Sequence, residues 1–200
     1  MLALPAYLIY ALMLALFALA APGCGTASSP GAPDSAAIAE YRQSLLLAEE
    51  PAGPVTPVDL REQEDGFTGG NIVLVGQIGG VANPWKESEP DFPWKADEAT
   101  FFLVDPGAAA AYADHAGGDP DHAETCAFCA SHADDNLQAI AVVTFNDAAG
   151  KPIPLGVADL LGLRRDAVVV VRGEAQMLPS VKAGEPATLA VVADGVYLRE

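Results

Sequence analysis

Five β-branched runs, each bounded by turn residues, constrain this chain more than any other feature of it. They are Asn71–Gly79 after a Gly-Gly pair, Ala99–Asp105 before Pro-Gly, Ala139–Asn146 before Asp147, Ala167–Met177, and Thr188–Leu198. Branched and aromatic side chains suit a pleated, half-buried surface, and Gly, Pro, Asn and Asp supply the turns between, so each run reads as a strand. Between the third and fourth runs, Val157–Leu161 reads as a short helix with Gly162 as its C-terminal stop.

The order β-β-β-α-β-β resembles that of the OB-fold, a five-stranded, partly open Greek-key barrel. Two local details carry the same resemblance. Gly76 interrupts the first strand where a small barrel coils sharply. The pair Val169-Val-Val-Arg-Gly173-Glu-Ala and Leu189-Ala-Val-Val-Ala-Asp-Gly-Val-Tyr197 is similar to the last two strands of many OB-fold proteins. The resemblance covers Asn71 to Glu200 and implies a mainly β domain, a five-stranded OB-like barrel with one short helix between strands 3 and 4. A generic small barrel or sandwich is the competing architecture.

The first segment decides the compartment. Leu2–Ala21 holds no charged residue, and its core Tyr7–Leu19 has the apolar character of a signal peptide. The stretch Leu19-Ala-Ala-Pro-Gly-Cys24 resembles the lipobox of bacterial lipoproteins, in which the cysteine receives lipid and becomes the mature N-terminus. It departs from that pattern at Ala21, where leucine is usual, and at Pro22. A plain signal peptide cut near Ala20, or an uncleaved anchor, are the alternatives. Cysteine arithmetic favours lipidation. With Cys24 lipidated, Cys126 and Cys129 are left as a local pair; otherwise an odd thiol remains in an oxidising compartment. The implied organisation is a signal peptide over 1–23, a lipidated cysteine with linker and helix over 24–70, and the β domain over 71–200.

The middle portion is linker and helix. Thr26–Pro33 has linker composition. Asp34-Ser35 reads as a helix cap, and Ile38, Tyr41, Leu45 and Ala48 recur at helical spacing until Pro51, which predicts a separate amphipathic helix over Ala36–Glu50. Pro51–Gly70 reads as a loop, with the charges around Arg61 in solvent.

Chemistry concentrates in the connection between strands 2 and 3, about 106–137. It carries all three histidines and both internal cysteines, in the pattern His122-x3-Cys126-x2-Cys129-x2-His132 with His115 farther upstream. Long connections in compact domains are usually functional or disordered. Cys-x-x-Cys lets two sulfurs converge on one ion from a single turn, and the flanking histidines can reach the same point. Cys126, Cys129, His122 and His132 thus form a candidate tetrahedral set for zinc, and the thiolates also suit Cu(I). The acids Asp119, Asp121, Glu124, Asp134 and Asp135 either orient ring N–H groups or are simply exposed loop acids. Two other readings of the pair stay open. One is an inert local disulfide; the other is a thiol–disulfide redox site, although such motifs normally open a helix in a βαβ fold. Covalent haem c is excluded, because it needs histidine at 130, where the chain has alanine.

A second candidate is the connection between strands 1 and 2. Pro84-Trp85-Lys86 recurs as Pro93-Trp94-Lys95. Trp85 and Trp94 either stack on a ligand or cap the domain and bury the loop.

Charge narrows the partner class. The formal net charge is −17, and 12 acids against 2 lysines lie in 71–137, compared with 7 acids against 6 bases in 138–200. A chain this acidic repels phosphate backbones, so no nucleic-acid partner is expected. Nucleotide-loop and serine-hydrolase signatures are absent, and no carboxylate pair or other catalytic residue stands out. As a whole the chain resembles bacterial lipoproteins with an OB-like barrel and a Cys-x-x-Cys loop, a resemblance that transfers no activity. It implies an exported, membrane-anchored binding module, with the membrane as partner through the lipid and any protein partner unspecified.

Overall fold

The structure is a computed structural model that describes residues 33–63, 66–116, 122, 126, 133–180, 184 and 186–199, and the backbone alone at 133–135. The leader, Cys24, Cys129 and His132 lie outside the described residues. All described residues fall in one compact unit spanning Ala32–Glu200.

Five strands form one mixed sheet closed into a ring: β1 (Gly69–Ile78), β2 (Thr100–Val104), β3 (Ile140–Phe145), β4 (Val168–Leu178) and β5 (Thr188–Leu198). Neighbours run in the order β1-β2-β3-β5-β4, with β4 returning to β1. All pairs are antiparallel except β3–β5, which is parallel. The strands coincide with the five sequence runs to within two residues at each end.

β1 bends so that its first part pairs only with β4 and its end pairs with both β4 and β2. Gly76 sits at that junction. A Cβ there would lie 2.6 Å from both Leu103 Cγ and the Val104 carbonyl oxygen, so only glycine lets β2 approach so closely. The ring's interior is filled by Leu74, Ile78, Phe101, Leu103, Val143 and Phe145, with Val169, Val171, Leu189 and Val191 opposite, all essentially solvent-free. Each such side chain contributes about 1.5–3 kcal/mol of burial.

β2 is buried at every position, on both faces. Phe101 and Leu103 point into the ring, whereas Phe102 and Val104 join a second apolar cluster with Val81, Phe92, Ala109 and Ile140. This two-sided burial explains why Thr100–Val104 reads as an unbroken apolar run instead of an alternating one.

Helices pack on the ring. α1 (Ser35–Leu45) starts at Asp34, whose carboxylate accepts hydrogen bonds from the Ala36 and Ala37 N–H groups. Its Ile38, Tyr41 and Leu45 pack on the core. Arg42 clamps the far side by donating to the Leu160 and Asp159 carbonyls at 2.7 and 2.8 Å. The helix ends five residues before the Glu50 limit that its spacing predicts. Leu46 and Leu47 leave it to pair with β5, Leu47 N–H donating to the Val196 carbonyl.

The segment before β1 is not a plain loop. α2 (Pro57–Arg61) is capped by Thr56, carries proline at its first turn and buries Leu60. Arg61 is half-buried instead of solvated. Its guanidinium donates to the Ala187 carbonyl at 2.9 Å and the Ile140 carbonyl at 3.4 Å, where the parallel β3–β5 pair begins, and burial lowers its pKa.

In the β2–β3 connection the described residues include two helices that the sequence pattern did not predict, α3 (Pro106–Ala116) and α4 (Ala133–Gln138). The predicted helix between β3 and β4 is α5 (Val157–Leu161), and Gly162 ends it with φ 72°.

Candidate metal centre

The centre is built on the end of α3. Asp105 starts that helix: its Oδ1 accepts from the Gly107 and Ala108 N–H groups at 2.8 and 3.3 Å. Its Oδ2 accepts from Val58 N–H at 3.4 Å, tying α3 to the start of α2. An alanine-rich body has the strongest intrinsic helix preference. Ala109 and Tyr112 seat α3 on the second apolar cluster, and Ala116, farther along the same stripe, is buried. His115 then falls in the last turn, exposed beside that seated face.

The chain comes back to the same place with His122 and Cys126. Cys126 N–H donates to the His122 carbonyl at 3.0 Å, which draws the two residues together. His115 Nε2 lies 3.2 Å from Cys126 Sγ. The His115 and His122 rings meet edge to face with centroids 4.8 Å apart. The ligand atoms of His115, His122 and Cys126 all lie within 4.8 Å of one another, so this group has the geometry to hold a metal ion. His122 and Cys126 are half-buried.

The fit can be tested on these distances. Tetrahedral zinc–nitrogen and zinc–sulfur bonds place neighbouring donors about 3.3–3.6 Å apart. The His115–Cys126 separation of 3.2 Å lies just below that range, and the other pairs, all within 4.8 Å, need to close by up to about 1.5 Å. Two imidazoles and a thiolate are also a donor set that zinc and copper share.

Of the four residues the spacing singles out, the structure brings together His122 and Cys126; Cys129 and His132 lie outside the described residues. His115 completes the described group in place of a spacing-derived partner. The signal for it was local: Asp105-Pro106 before an alanine run is a helix start, and a helix from there puts His115 on its last turn.

The two tryptophans part company. Trp85 packs against Phe102 and Phe92, with ring centroids 5.1 and 6.5 Å away, and belongs to the second cluster. Trp94 packs on Phe101 at 6.5 Å and lines a surface depression with Lys95 and the segment before α5.

No family model, no curated protein and no solved structure matches the chain. Among the described residues, no helix is long and apolar enough to cross a membrane.

Proposed function

We propose that this protein is an exported lipoprotein, tethered to the bacterial cell envelope through Cys24, whose domain is a non-catalytic module that binds one zinc or copper ion. The observation that carries the reading is the convergence of His115, His122 and Cys126 from two separate turns of the chain. Cys129 and His132 are the sequence candidates for a fourth donor. Zinc here would serve a structural role, locking the end of α3 to the turn that follows; copper would be handled as cargo.

The ring order, with its parallel β3–β5 pair and a helix between β3 and β4, supports reading the domain as an OB-type barrel. OB-type barrels commonly bind extended ligands on the face of strands 2 and 3. In this chain α3, Trp85 and Phe92 cover the outer side of β2, which favours the metal centre over that face as the working site.

A second reading has an observation of its own. The His115 ring nitrogen beside the Cys126 sulfur is an arrangement that thiol–disulfide sites also use. One experiment separates the two. The full chain, purified in detergent under reducing, anaerobic conditions, is analysed for bound metal and titrated for thiols. One equivalent of zinc or copper that is lost in Cys126→Ser and in His115→Ala supports the metal module. No metal, together with a reversible Cys126–Cys129 disulfide, supports the redox reading. No metal and no reactivity toward dithiols rejects both.

A further inference from the structure

Trp94 stands where the β1–β2 connection meets the segment leading into α5. It is half-buried, and its indole packs on Phe101, so its position is fixed from the core side. It lines a depression of about 400 Å³ with Pro154, Leu155 and Ala158. That lining is an apolar slot with three carboxylates in it, on the exposed residues Asp91, Asp97 and Asp159. Trp94, Asp91 and Lys95 are shared with an adjoining depression of about 340 Å³, which adds Glu89 and Glu98.

The charges in these walls select one sign of ligand. Among the described residues, Lys95 is the one cation in the two linings, and its ammonium is engaged by Glu98 at 3.3 Å and Glu89 at 3.6 Å. Asp91, Asp97 and Asp159 are left to face a ligand. The five acids and one lysine of the combined lining carry a net charge of −4. An anion entering here would meet uncompensated repulsion, whereas a cation meets carboxylates. The apolar walls give a hydrocarbon stem somewhere to go, as in sites where a few polar groups orient a ligand along an otherwise apolar lining.

We propose that the slot beside Trp94 binds a small organic cation, a primary ammonium on a short alkyl stem, with the stem against Trp94 and Leu155 and the ammonium held by Asp97 and Asp159. The site is separate from the His115–His122–Cys126 group and stands or falls independently of metal binding.

The test is calorimetric titration of the full chain with hexylammonium, with hexanoate and hexanol as matched anionic and neutral probes. Saturable binding of hexylammonium is expected, weakening as salt is added, with no binding of hexanoate. Trp94→Ala and the double variant Asp97→Asn/Asp159→Asn should each weaken it by about 3- to 30-fold, the range set by the strength of an apolar or a charged contact. Trp94→Ala also removes a core contact. If it fails to fold, the double variant decides, because both of its positions are exposed. Absence of saturable hexylammonium binding, equal binding of hexanoate or hexanol, or unchanged affinity in the double variant would overturn the proposal.

Discussion

His115 and Cys126 stand eleven positions apart in the chain, yet the ring nitrogen of one is 3.2 Å from the sulfur of the other. A helix end and a later turn meet at that contact, so an ion bound there would bridge two elements. Truncating His115 to alanine is therefore expected to weaken metal binding as strongly as truncating His122, by on the order of 100-fold or more, since even residues that only orient ligands contribute 10- to 100-fold. Competition with a chromophoric chelator measures this. Unchanged affinity in His115→Ala would move the site to the Cys129 and His132 side of the motif.

Asp105 supports the same centre from the other end of α3. Its carboxylate caps that helix and also accepts from Val58 N–H, while the residue is only 7% exposed. Asp105→Ala should cost about 1–2 kcal/mol, the usual penalty for losing a cap. Urea denaturation would show it as a lower midpoint with the slope unchanged. Metal affinity should fall in parallel, because the displaced helix carries His115. A loss of stability with full metal affinity would show that the end of α3 is held independently of its start.

Gly76→Ala probes the closure of the ring. The added methyl meets a leucine side chain and a backbone oxygen at 2.6 Å, and the backbone cannot yield cheaply. Destabilisation of about 1–3 kcal/mol is expected, the range for overpacking a filled core. A thermal midpoint equal to that of the parent protein would mean that β2 can shift outward without penalty.

At the end of β5, Arg199 reaches back to Glu50, its Nε 3.1 Å from Oε2. The hydrogen bond from Arg199 holds the Glu50 carboxyl below its ordinary value; slight desolvation opposes this, and the charge attraction adds to it. Because the folded pKa is the lower one, the contribution is complete above the pKa of an unfolded glutamate. It is lost as pH falls through the lowered folded value. The gap in thermal midpoint between the parent and Glu50→Gln should be steady near neutrality and should close in acid. A gap that persists or widens at low pH would contradict this. The pair is on the surface, so the gap will be small and will shrink with salt.

The sheet was legible in the sequence because its signal is local. Val, Ile and Phe runs between Gly, Pro, Asn and Asp say where strands begin and end, and the Val157–Leu161 helix announces itself by the glycine after it. α3 was less legible because alanine is weakly patterned: Ala108–Ala111 carries neither a strong apolar stripe nor a polar face, and the burial of the helix is decided by its packing on Phe102 and Val104 of β2. The early end of α1 could not be read locally, because Leu47 pairs with Val196 far along the chain. Arg61 looked like one more surface charge for the same reason, since the carbonyls it serves belong to Ile140 and Ala187. In the candidate metal centre, the proximity of His122 and Cys126 follows from their closeness in the chain. His115 joins them only once α3 exists and its phase is set.

The ring is sewn unevenly. β1 is matched to β4 through nine residue pairs but to β2 through two, Gln77 with Val104 and Ile78 with Leu103. The domain is in this sense a rolled strip clasped at one corner, with Gly79 N–H to the Phe102 carbonyl as an extra stitch. A clasp so short can part while the other four seams hold, leaving a curled open sheet instead of an unfolded chain. The first free edges to appear under strain would then be β1 past Gly76 and the β1-facing side of β2, the strand that also supports α3 and the histidine at its end.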